Sequence, residues 1–131
     1  MYVLKQGDLG GIGGQVDEQN ICKSFGGAAV DGDVVYLPCT DGVRAVRVDD
    51  AGQLHVLWHT SDSITGSPVI GGGRIWVLDT TAGVLHALDP ASGTSLSQVE
   101  VGAANRFATP ALYGADVVVP TLAGIAVVRT S

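Results

Sequence analysis

Apolar residues in this chain fall into short unbroken runs, such as 34–37 (VVYL), 75–78 (IWVL) and 117–119 (VVV), separated by glycine-rich polar turns. A run that is apolar on both alternating faces suits a strand covered on both sides. No stretch combines a 3.6-residue apolar period with the Gly/Pro-free length of a helix. The clearest unit spans residues 66–101. It predicts a short run at 67–70, a turn at 71–73, a strand rich in β-formers at 74–79 (RIWVLD), a turn at 80–83, a strand at 84–89 (VLHALD), a PASG turn, and a last strand at 95–101. The same order lies over 27–30, 34–37, 43–48 (VRAVRV) and 53–58 (QLHVLW), and opens again with 109–112, 117–119 and 125–128. Residues 2–7, followed by Asp8 and Gly11, fit the third strand and turn of a still earlier unit.

Two glycine series give the period. Gly11, Gly52 and Gly93, and Gly42, Gly83 and Gly124, each advance in steps of 41 residues. Small four-stranded sheets cannot keep both faces dry alone and must stack on copies of themselves, which at this period predicts the blades of a β-propeller. The expected fold is therefore all-β, with blades of four antiparallel strands in about three repeats: a remnant at 1–23, blades at 24–62 and 63–104, and a partial blade at 105–131. Asp49 and Asp89 are offset by 40 rather than 41, and the longer turn DPASG against DDAG restores the register. A two-sheet sandwich would show more polar-out alternation and no strict repeat. Propellers close with roughly four to eight blades, so a chain of 131 residues is expected to be part of a larger ring or to associate with other chains.

Hydrophobic residues make up 46% of the chain, 19 residues are glycine, 15% are charged, and the net charge is −6. Stacked half-buried sheets have this composition, and disordered chains do not. The acidic balance, with no basic stripe, argues against nucleic acid and anionic membrane as partners. No apolar run approaches the roughly 20 residues of a membrane-spanning helix. Only Tyr2, Val3 and Leu4 stand between Met1 and Lys5, so a secretory signal is not expected within this sequence.

Candidate chemistry is sparse. Cys22 and Cys39 are the only cysteines, and two thiols at that spacing fit buried free thiols, half of a metal site or a disulfide. No CxxC and no paired-histidine motif offers zinc two more ligands. Cys22 should precede the inner strand of its blade and Cys39 end the second. Antiparallel neighbours bring both points to one face, which favours the disulfide and with it an oxidising compartment. His86 lies in an apolar strand as a hydrogen-bonded core residue would. His55 and His59 would share a strand face about 13 Å apart, too far for one metal. Asp8, Asp31, Asp33, Asp41, Asp49, Asp50 and Asp89 sit in turns, where carboxylates bond backbone N–H groups. The glycine-rich segment 10–15 (GGIGGQ) has neither GxGxxG nor Walker A spacing. Loops entering the inner strands and leaving the second strands converge on one propeller face, and there they supply Asn20, Lys23, Asp41, Asp62, Thr65, Asp79, Asn105 and Arg106 as a candidate binding face.

The string ALDPASG (87–93), with TAGVLHALD before it and SPVIGGGRIWVLD further upstream, resembles the repeat of the PQQ-like β-propeller family. Its blade signature is an Ala-x-Asp-x-x-Thr-Gly turn followed by a tryptophan that packs between blades. Ala87, Asp89 and Gly93 match, with Ser92 in place of Thr; no Trp follows Gly93, and Trp58 comes six residues after Gly52. The family holds both quinoprotein dehydrogenases and non-enzymatic scaffolds. The former grip their quinone with adjacent cysteines and a stacking Trp, beside a calcium site. Cys22 and Cys39 are not adjacent, so no catalytic, cofactor or metal residue carries over, and PQQ is expected only in an intact parent. The resemblance thus implies a non-catalytic binding or scaffold module of an extracellular or cell-envelope propeller, partnered by another protein, by further blades, or by its own copies through open edge strands. Its alternative is part of a PQQ-dependent oxidoreductase whose site lies in other blades.

Overall fold

The structure, a computed structural model, describes residues 1–6 and 13–130. Asp8, Gly11 and the start of the 10–15 segment lie outside the described residues. Strands β1 (Tyr2–Val3) and β2 (Asp17–Glu18) form a two-stranded antiparallel pair. A four-stranded sheet follows from β3 (Ala29–Asp31), β4 (Val34–Cys39), β5 (Gly42–Val48) and β6 (Leu54–His59), and a second from β7 (Val69–Gly71), β8 (Arg74–Asp79), β9 (Val84–Leu88) and β10 (Ser95–Glu100). The last has three strands, β11 (Ala111–Tyr113), β12 (Asp116–Thr121) and β13 (Gly124–Arg129). Each sheet is an antiparallel meander in chain order, and among the described residues the chain has no helix and the sheets close no ring. These are propeller blades, with β3 beside β7 and β7 beside β11 along the inner edge. The inner strands each begin two residues later than the apolar pattern suggests. Pro68 and Pro110 stand just before β7 and β11, where a missing N–H cannot join a ladder.

The unbroken runs are explained by where β8 sends its side chains. Ile75 and Val77 point back to Tyr36, Val43 and Ala45 of the first four-stranded sheet, while Trp76 and Leu78 point forward to Val117 and Val119 of the three-stranded one. Both slabs are dry: Val43, Ala45, Ile75, Val77, Leu78, Val117 and Val119 have no exposed surface. Each larger side chain so buried contributes about 1.5–3 kcal/mol.

Adjacent sheets are also tied at their outer rims, and there β6 departs from regularity. Its register shifts so that Val46 faces Val56 but Ala45 faces Trp58, leaving Leu57 as the extra residue of a bulge. The bulge turns Trp58 onto the face of Ala45, towards the next sheet. Its ring meets Tyr36 at 5.8 Å between centroids, and its indole N–H donates to the Pro90 carbonyl at 2.9 Å. The ring lies flat against Gly93, where a Cβ would come within 2.8 Å of Cδ2 and Cζ3. Gly93 must also hold φ at +72°, so the turn requires glycine twice over. The same bulge puts His55 and His59 on opposite faces, correcting the expectation that they share one; His55 instead meets Asp49 at 2.8 Å.

Equivalent joints differ. One sheet earlier, Val16 packs on Gly52, and Asp17 Oδ2 accepts the Leu54 N–H at 2.9 Å. One sheet later, the residue that pairs with Ala87 as Trp58 pairs with Ala45 is Ser97. No indole straps that joint, and a cleft of about 420 Å3 opens beside Trp76, Ala87, Ser97 and Asp116.

Candidate functional site

The loops before β3, β7 and β11 gather at one end of the sheets and enclose a cleft of about 220 Å3. One wall is Phe25, held by a short tether with three attachments. Cys22 and Cys39 are joined in a disulfide with Cα atoms 5.8 Å apart, the Thr40 N–H donates to Lys23 O at 2.9 Å, and Ser24 Oγ donates to Pro38 O at 2.6 Å. Gly26 lets this tether approach the neighbouring loop, since a Cβ there would sit 2.6 Å from Ser67 Oγ and 3.0 Å from Pro38 Cγ. Pro38, Cys39, Thr40, Thr65 and Ser67 form the remaining lining on this side.

Phe107 and Arg106 are the opposite wall. Asn105 shapes their turn: its side-chain Oδ1 accepts the Phe107 N–H at 3.0 Å and its carbonyl accepts the Ala108 N–H at 2.8 Å. The Arg106 guanidinium carbon rests 4.8 Å from the Phe107 ring centroid, a favourable cation–π geometry. Both phenyl rings face solvent, Phe25 at 75% and Phe107 at 59% exposure. Beyond Phe107 a second hollow of about 290 Å3 runs between Asn105, Pro120 and Leu122, so Phe107 is a wall common to both.

The eight face residues named from the sequence divide in the structure. Thr65 and Arg106 line the cleft and Asn105 frames it. Lys23 lends its carbonyl to the tether and leaves its side chain exposed. Asp41 turns aside to pair with Arg44 at 2.8 Å. Asp79 is buried, with Oδ1 accepting the Thr81 and Ala82 N–H groups, so it shapes a turn as Asp49 and Asp89 do. Asn20 and Asp62 are exposed outside the lining. Phe25 and Phe107 were missed. Their signal is the period itself: Phe25, Gly66 and Phe107 are one repeat position, each 41 residues from the next, with the side chain deleted in the middle copy.

The lining holds one guanidinium and no carboxylate or histidine. Among the described residues the ion pairs are Arg44–Asp41, His55–Asp49 and Arg129–Asp116, and Arg106 joins none of them. The perturbed groups sit elsewhere. Burial pushes the His86 pKa below its ordinary value against an opposing pull from Asp79, and its Nδ1 lies 2.9 Å from Ser95 Oγ. The N–H of Leu54 and then that of Glu18 hold the Asp17 carboxyl low, the His55 hydrogen bond leads at Asp49, and Arg129 at Asp116. A quinone with calcium does not fit the donors present: the cysteines are 17 residues apart, and among the described residues no three His, Cys, Asp or Glu side chains converge.

No protein-family model and no curated protein matches the chain. Among solved structures it is similar to the crystal structure of BamB from Moraxella catarrhalis, a β-propeller, with a TM-score of 0.57 and 21% identity over 80% of this chain and 34% of that one. The chain thus spans about a third of that structure's length. The likeness is one of fold.

Proposed function

We propose that this chain is a non-catalytic binding module, part of a PQQ-like propeller of the cell envelope or extracellular space, that recognises segments of other proteins on the face bearing Phe25 and Phe107. The observation that carries this reading is two exposed phenyl rings held in place by a disulfide tether and an asparagine-capped turn. Exposed apolar side chains that share one patch, as these two do by lining a common cleft, mark interaction surfaces where single ones do not. The lining's lack of titrating acid–base groups supports binding over turnover, and the disulfide supports the oxidising compartment. A second contact surface is the free edge of β13, whose Ile125 and Val127 are exposed. Such an edge recruits a further strand, from added blades or another copy.

Phage display of random short peptides on the immobilised protein tests the proposal. Enriched peptides should lose binding to the Phe25→Ser/Phe107→Ser double variant, whose stability should stay within about 0.5 kcal/mol of wild type because both rings are exposed. Failure to enrich any such peptide would refute it, as would dye reduction with alcohols after addition of PQQ and calcium.

A further inference from the structure

We infer that the two hollows beside Phe107 form one bipartite site for an extended peptide that places a carboxylate against Arg106 and, two residues on, a bulky apolar side chain between Pro120 and Leu122. This rests on the protein-binding reading above and names the partner's chemistry.

Charge carries the first half. In a chain of net charge −6, the cleft lining has one cation and no anion, and Arg106 joins no ion pair among the described residues. Stacking on Phe107 at 4.8 Å leaves the planar fork of N–H donors available for a carboxylate, the group it matches bidentately. Thr40 and Thr65 belong to the same lining, and a threonine hydroxyl can donate to a second oxygen or to the peptide backbone.

Geometry carries the other half. The second hollow is lined by Phe107, Ala108, Pro120 and Leu122 together with the uncharged polar residues Asn105 and Thr121, and most of its lining surface is apolar. Its demand is apolar. In an extended chain, residues i and i+2 point the same way about 6.5 Å apart, which lets two side chains straddle one phenyl ring. A small free carboxylate fills only the first hollow and leaves Leu122 in water.

The display selection separates this inference from the reading beneath it. Enrichment of acidic–x–apolar sequences supports both, enrichment of basic or uncharged sequences overturns the inference while the binding face stands, and no enrichment overturns both. A synthetic peptide bearing Asp-Ser-Leu then gives the quantitative test by fluorescence anisotropy. Asp→Asn should weaken binding about tenfold, as expected for one lost charged hydrogen bond, and Leu→Ser should also weaken it. The Arg106→Gln variant should bind the Asp and Asn peptides alike. Equal affinity of the two peptides for the wild-type protein, or an undiminished preference for Asp in the variant, overturns the proposal.

Discussion

Replacing Trp58 by alanine should loosen the joint between the two four-stranded sheets, and a second substitution across the joint shows whether the indole is the cause. Truncating a fully buried Trp costs about 3–5 kcal/mol. Trp58 is half-buried, so roughly 2–3 kcal/mol is expected, including about 1 for the hydrogen bond to Pro90. Trp58→Phe keeps a ring and should lose only about 1 kcal/mol. Gly93→Ala adds a Cβ 2.8 Å from rigid indole carbons at φ +72°. The backbone alone costs roughly 1–2 kcal/mol, and the collision adds about as much again. Once Trp58 is alanine the collision is gone, so Gly93→Ala should cost only the backbone share. The cycle should therefore show about 1–2 kcal/mol of coupling, measured by urea denaturation with circular dichroism, a signal that does not rely on the removed fluorophore. If the two losses add within about 0.5 kcal/mol, the ring does not bear on Gly93 and the strap is refuted.

Cys22→Ser/Cys39→Ser should lose about 3 kcal/mol through the unfolded chain, and reductant should lower the wild type to the same denaturation midpoint; an unmoved midpoint in both cases would dismiss the bond. Thr60→Val removes the buried Oγ1 that accepts the Val43 N–H at 2.8 Å, with an expected loss of about 1–3 kcal/mol in the same assay. The pKa of His86 is lowered from 6.5 on folding, chiefly by burial. Below that pH the unfolded chain binds a proton that the folded chain refuses, so stability falls on acidification until the folded pKa is passed. Asp17, Asp49 and Asp116 are held below 3.8 and add their loss only further down. His86→Gln should abolish the upper stage of a stability–pH profile and keep the lower, and an unchanged profile would reject the assignment.

The strands were legible because their apolar runs and the glycine period report the same fact, that sheets are stacked on both sides. β8 is the clear instance, with Ile75 and Val77 serving one slab and Trp76 and Leu78 the other. The bulge at Leu57 left no mark in the sequence, since nothing in LHVLWH separates a regular strand from one that doubles a residue. Trp58, six residues after Gly52, docks on the next sheet because that extra residue rotates it. The candidate face was half legible: topology brings Thr65 and Arg106 together, but reading only polar loop residues passed over Phe25 and Phe107. Asp41 and Asp79 look alike in sequence and diverge because one meets Arg44 and the other caps a turn.

Unequal joints set where this stack is strapped and where it is not. An indole bolts the two four-stranded sheets at the rim, whereas the three-stranded sheet is held through its inner slab and leaves a cleft beside Ser97. Phe25 belongs to a loop of the bolted pair and Phe107 to the connection into the last sheet. A peptide in contact with both rings would therefore lie across the joint that has no indole, and would add there a strap the chain itself does not supply.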